Sequence, residues 1–158
     1  MITCHFEDSK KPTHLRHVVV DMLVVDGPKI LLVKRSSKYL ETGKWALPGG
    51  FLEKDETTQQ AAIRETTEET GYQVEITDFF RLNDSPKRPR EKNRQNVALI
   101  YLMKPLKKTG EPDHEIDQVK WFNLDKLPQS KDIAFDHLQT IELYKKYLPK
   151  LFKLPILG

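Results

Sequence analysis

Apolar and polar residues alternate loosely from Arg16 to Val25, and a second apolar run, Ile30 to Val33, leads into Lys34-Arg35. Both read as strands. The intervening Asp26-Gly27-Pro28-Lys29 is a tight-turn signal, so a hairpin is expected. Ser36–Lys44 is polar and loop-like, and the short apolar segment Trp45–Leu47 stops at Pro48-Gly49-Gly50, which reads as a turn. From Thr57 to Thr70 the pattern becomes helical: Thr57 with Gln60 makes a capping box, Ala61 and Ala62 favour helix, and Gly71 sits where a C-terminal cap belongs. Tyr72–Leu82 and Gln95–Met103 are β-rich runs flanking a basic, proline-containing loop, Asn83–Arg94. Asp117–Asn123 is another short strand, and Asp132–Tyr147 reads as a second amphipathic helix. Strands with one helix inserted mid-sheet and another at the end imply an α/β fold, a mixed β-sheet with helices on its faces.

Composition narrows this picture. A chain of 158 residues with 38% hydrophobic and 31% charged residues is long enough for one sizeable core, too short for two ordinary domains, and not of disordered character. A single domain over 1–158 is expected, with 1–15 as an N-terminal extension. No apolar run approaches the roughly 20 residues of a membrane-spanning helix, and the first residues lack the basic-then-apolar order of a signal peptide. One cysteine, Cys4, excludes an intrachain disulfide and points to a reducing, cytoplasmic location.

The net charge of +3 hides a split. Between Gly50 and Tyr72 six acids face two bases; between Asp84 and Lys108 eight bases face two acids. The basic stretch lacks interleaved aromatics or a recognition helix, so no nucleic-acid partner is expected. On the predicted helix Glu65, Glu68 and Glu69 stand at i, i+3 and i+4, one stripe of carboxylates. Such a stripe is an ordinary solvated face in most proteins. It also suits a hard divalent cation, Mg²⁺ or Mn²⁺, which removes the mutual repulsion of the carboxylates. Ala61 lies on the same stripe and is small enough to leave room for a ligand; Ala62, Ile63, Thr66 and Thr70 are expected to turn inward.

Gly50, Glu56, Arg64, Glu65, Glu68, Glu69 and Gly71 follow one another in the spacing G-x5-E-x7-R-E-U-x-E-E-x-G-U, where U is bulky and apolar and Tyr72 fills the last position. Over residues 50–72 the chain thereby resembles the Nudix hydrolase family. One position departs: Thr66 stands where the family has Leu, Ile or Val, which touches packing and removes no ligand. The resemblance extends from about His17 to Tyr147 and implies a Nudix-type α/β/α sandwich. It implies metal-dependent hydrolysis of a nucleoside diphosphate linked to another group, a small-molecule nucleotide substrate, and a homodimer. Glu68 and Glu69 then look like the principal metal ligands, with Glu65 as a further ligand or base and the Gly49 carbonyl as a backbone ligand. Glu56 and Arg64 look like supports that hold a carboxylate in place. A further base is expected from the loop holding Asp113, His114 and Glu115, with Glu115 preferred for its position before Trp121.

The substrate is less legible. Gly50 lets the backbone approach metal and phosphates, and Arg88, Arg90 and Arg94 of the basic loop are candidates for the substrate's far end. Phe51, Trp45 and Phe135 could stack a base, although each also fits a core role. Pro86, fifteen residues after Gly71, and the run Trp45–Glu53 resemble the ADP-ribose pyrophosphatase branch. The alternatives are a MutT-type nucleoside triphosphate pyrophosphohydrolase and a sensor that binds ADP-ribose without cleaving it; the complete carboxylate set speaks against the sensor.

Overall fold

The computed structural model describes residues 2–8, 11–37, 40–88, 95–150 and 153–158. Along the chain come β1 (Ile2–Cys4), β2 (Thr13–Leu15), β3 (His17–Asp26), β4 (Lys29–Arg35), β5 (Trp45–Ala46), β6 (Gly49–Phe51), α1 (Thr58–Thr70), β7 (Tyr72–Asn83), β8 (Asn96–Lys108), β9 (Ile116–Asn123), α2 (His137–Tyr147) and β10 (Ile156–Leu157). β3 lies inside the sheet, parallel to β8 and antiparallel to β4 and β6, and its Val-rich sequence is buried on both faces as such a position requires. Alternation then divides its side chains. Val20, Met22 and Val24 pack with Ala61 and Ala62 of α1, whereas Val19 and Leu23 pack with Ile141 and Tyr144 of α2. The expected mixed sheet between helices, the α/β/α sandwich, is what forms. No helix among the described residues is long and apolar enough to cross a membrane.

Helix α1 is closed at both ends as its sequence requires. Thr57 accepts from the Gln60 backbone, Gln60 returns a bond to the Thr57 N–H, and Gly71 takes the left-handed conformation at φ 72°. A Cβ at Gly71 would run into the backbone carbonyl of Gly110, where nothing can yield. We therefore expect Gly71→Ala to destabilise the fold by about 1–3 kcal/mol, lowering Tm by several degrees in thermal unfolding. An unchanged Tm would show that this turn tolerates a side chain.

Several expectations are corrected. The N-terminal extension contains a small antiparallel pair, β1 with β2, which the sequence pattern did not indicate. Gly49-Gly50 is strand, not turn: β6 pairs with β3, opposing Asp21 to Gly49 and Val20 to Gly50. Strand β8 continues past Met103 through Pro105, which sits at an irregularity against β7. The second helix begins at His137, not Asp132, because Phe135 adopts φ 52° and breaks the helical path; Ser130–Asp132 forms only a 3-10 turn. Ala61 is core rather than a gap for a ligand, and Ile63 is exposed rather than inward. The two-residue strand β10, which forms the sheet edge parallel to β7, has no counterpart among the sequence expectations.

Candidate active site

A cavity of about 440 Å³ opens between α1, β6 and the start of α2. Its outer wall is acidic, with Glu53, Glu65, Glu68 and Glu69 joined by Asp113 and Glu115. Its inner wall carries Asp21, Arg88, Asn96, Asp136 and His137.

The helical spacing of α1 gives its three glutamates different surroundings. Glu69 faces β6, is only 5% exposed, and its Oε2 accepts the Gly49 N–H at 2.9 Å. Burial pushes its carboxyl well above the usual range; the Gly49 N–H opposes that shift, and the charge of Glu65 adds to it. Glu65 is half-buried and also raised by burial, with Arg64 pulling it back. Gly50 lies so close to the Glu65 carboxylate that a Cβ there would push the carboxylate aside. Glu68 is exposed.

Arg64 gathers these groups. Its guanidinium donates to Glu56 at 2.7 and 3.1 Å, to Glu65 at 2.8 Å, to Glu68 at 3.1 Å and to the Phe51 carbonyl at 3.2 Å. Arg64 and the Glu53 N–H, which donates to Glu56 Oε1 at 2.7 Å, hold the Glu56 carboxyl below its usual value. Glu56, Arg64, Glu65 and Glu68, separated along α1 and its approach, are thus one hydrogen-bonded unit.

The loop after β8 reaches the same cavity. The Asp113 N–H donates to the Glu68 carbonyl at 2.9 Å, and the Glu115 N–H to Asp113 Oδ1 at 2.9 Å. Asp113 and Glu115 line the cavity, whereas His114 is exposed and outside its lining. Phe51 is 42% exposed at the rim, edge-on to His17 at 5.0 Å, so it is not a core residue. Trp45 is: it packs on Phe122 at 4.7 Å. Phe135 lines the cavity beneath the Arg35 guanidinium, 5.3 Å from the ring centre. Arg88 reaches the inner wall, but its guanidinium is engaged by Asp136 at 2.8 and 2.9 Å and stands 3.6 Å from Asp21. Arg90 and Arg94 lie outside the described residues.

Lining residues that the sequence pattern did not single out include Asp21, Arg35, Asp136 and His137. A signal existed for the first, since Asp21 interrupts an otherwise apolar strand and is itself buried. Asp136 and His137 were absorbed into a helix predicted too long, which hid the turn that aims them inward. Arg35 stood at the end of an apolar run like any strand-ending cation.

Oxygen is the only donor type on the acidic wall, which fits a hard divalent cation, with Glu65, Glu68, Glu69 and the Gly49 carbonyl as the residues that could hold it. Among the described residues no three acidic, imidazole or thiol groups are drawn together as a ready-made cation site; Arg64 stands between Glu65 and Glu68.

Residues 15–144 match the NUDIX domain. An ADP-ribose pyrophosphatase of Methanocaldococcus jannaschii is 30% identical over 130 residues, covering 82% of this chain and 73% of its own. A MutT-like protein of Streptomyces ambofaciens is 30% identical over 123 residues, covering 78% of this chain and 73% of its own. Among solved structures, a NUDIX hydrolase from Nitrosomonas europaea superposes with a TM-score of 0.72 at 27% identity over 99% of this chain and 90% of its own. A bifunctional NMN adenylyltransferase/ADP ribose pyrophosphatase from Francisella tularensis, complexed with AMP and a manganese ion, has a TM-score of 0.67 at 28% identity, covering 87% of this chain and 43% of its own.

Proposed function

This chain belongs to the Nudix family of hydrolases, which act on pyrophosphate bonds, and on that premise we propose that it cleaves ADP-ribose or a closely related nucleotide sugar to AMP and a sugar phosphate. The observation that carries the reading is the wall formed by Glu65, Glu68 and Glu69 against Gly49 and Gly50 in a cavity large enough for a nucleotide. The choice of ADP-ribose is supported by the similarity to the Methanocaldococcus enzyme over four-fifths of the chain. The competing MutT-type reading draws on the Streptomyces relative.

A pyrophosphate is an anion and an acidic wall repels it, so cations must stand between them. When bound, Mg²⁺ or Mn²⁺ there neutralises phosphate charge and lowers the pKa of the attacking water. The protein's own groups do the rest. Water adds its oxygen to one phosphorus, the bridging P–O bond breaks, and the bridging oxygen leaves on the other phosphate. Glu65 and Glu115, carboxylates that feel each other's charge, are the groups proposed to receive the water's proton. Arg64 keeps Glu65 and Glu68 aligned. Arg35, a cation on the cavity wall near Phe135, is suited to phosphate oxygens, and Phe51 offers an exposed ring for a base.

A substrate panel with Mg²⁺ tests this reading: ADP-ribose, other nucleotide sugars, 8-oxo-dGTP and dinucleoside polyphosphates. AMP and ribose 5-phosphate from ADP-ribose should appear fastest. Faster pyrophosphate release from the triphosphate would transfer the assignment to the MutT type, and tight ADP-ribose binding without products would make the protein a sensor.

A further inference from the structure

Gly49 occupies a demanding place, with its N–H on Glu69 and its carbonyl proposed as a backbone ligand, yet the chain on either side of it is held by very short strands. Trp45 and Ala46 pair with β4 and Gly49 pairs with Asp21 of β3, while the free edge of this segment meets the residues before α2. Trp45 bridges Ile133 in parallel, and the Ala134 N–H donates to the Trp45 carbonyl at 2.8 Å. The next donor along this edge is the Leu47 N–H, but by then the opposite chain has turned away at Phe135 into α2. No backbone carbonyl takes that bond. The acceptor is a side chain, His137 Nδ1, at 2.9 Å. On the other side the Met22 N–H donates to the Pro48 carbonyl at 2.9 Å, so residues 47 and 48 are gripped from both flanks immediately before Gly49.

His137 is itself held from behind. It is 5% exposed, and because Nδ1 accepts, its proton sits on Nε2, which faces Asp21 Oδ1 at 3.7 Å. Its neighbour Asp136 is pinned by the two-pronged contact from Arg88 and by the Asn83 amide at 3.0 Å. A continuous chain of contacts therefore runs from the loop after β7, through Asp136 and His137, to Leu47 and Gly49.

We propose that His137 is a positioning residue for the metal-facing backbone: by accepting the Leu47 N–H it holds Gly49 in register with Glu69, and the Arg88–Asp136 pair holds His137 in turn. Arg88 then acts through the protein rather than as a ligand of the substrate's far end. The inference rests on the proposed role of Gly49 and Glu69 at a divalent cation.

The test compares His137→Leu, which removes the acceptor, with His137→Asn, whose Oδ1 stands near the position of Nδ1. In the full chain, Mn²⁺ affinity is measured by calorimetry without substrate, thermal melting reports folding, and kcat and KM are measured on ADP-ribose. His137→Leu should weaken Mn²⁺ binding and lower kcat by about tenfold or more, with KM changing less, and His137→Asn should recover most of both. Should His137→Leu fail to fold, His137→Gln, whose acceptor is displaced by one methylene, takes its place with the same expectation. The proposal is overturned if the asparagine variant is as impaired as the leucine one, or if the leucine variant stays within about twofold of the parent in both readouts. A parent protein that binds no Mn²⁺ overturns it together with the metal assignment. A parent that binds Mn²⁺ but does not cleave ADP-ribose refutes only the substrate reading, and the affinity comparison still decides the role of His137.

Discussion

Glu69→Gln is expected to abolish turnover while leaving the fold intact or slightly firmer. The two effects separate because the carboxylate has two tasks. As an acceptor for the Gly49 N–H at 2.9 Å it is replaceable, since the glutamine Oε1 accepts the same bond. As a negative charge it is not, because the proposed cation site loses a ligand that no neighbour can supply. Loss of a supporting partner around a metal costs about 10- to 100-fold, so loss of a ligand should cost more than about 100-fold in kcat. Stability should move the other way. Burial raises the Glu69 carboxyl well above its unfolded value, so the folded state holds this proton more tightly than the unfolded one. The group therefore contributes stability below the unfolded pKa that is lost as pH rises through the folded one. At neutral pH without metal the neutral amide avoids that loss. Thermal melts should show the Glu69→Gln variant at least as stable as the parent without Mn²⁺, and stabilised less than the parent by adding it. Retention of full activity by this variant would remove Glu69 from the metal site.

Arg64→Met is expected to rank second. One guanidinium holds Glu56, Glu65, Glu68 and the Phe51 carbonyl, and without it three carboxylates are left facing one another. The Glu65 and Glu68 carboxylates then spread, so the cation must gather them before it binds. Mn²⁺ affinity and kcat/KM should fall by about 10- to 100-fold. Arg64→Lys should not restore them, because a single ammonium cannot serve contacts that fan out from a planar fork. Calorimetry with Mn²⁺ and steady-state kinetics on both variants check this, and full recovery in the lysine variant would show that charge alone suffices.

Both predictions concern a helix whose limits and acidic face can be read directly from the chain. Thr57 with Gln60 and Gly71 act on backbone groups within a turn of themselves, so the cap signals of α1 do not depend on the rest of the protein. The β3–β4 hairpin is equally local: Asp26 pairs with Lys29 across Gly27-Pro28. Reading fails where distant segments decide. Propensity alone extends the second helix back to Asp132, but the bridge to Trp45 keeps Ile133 extended and the turn at Phe135 starts the helix later. Gly49-Gly50 carries the composition of a turn, yet pairing with β3 makes it strand.

The carboxylate spacing, the caps that place it on one helix, and the Val-rich run that becomes β3 are legible in the chain alone, because each depends on neighbouring residues within a helix turn or a strand. Only the tertiary structure decided which glutamate is buried, that Arg88 meets Asp136, and that a histidine ring takes the hydrogen bond of Leu47. Those contacts join residues far apart in the chain, on a helix, a loop and a turn, so no period of neighbouring residues specifies them.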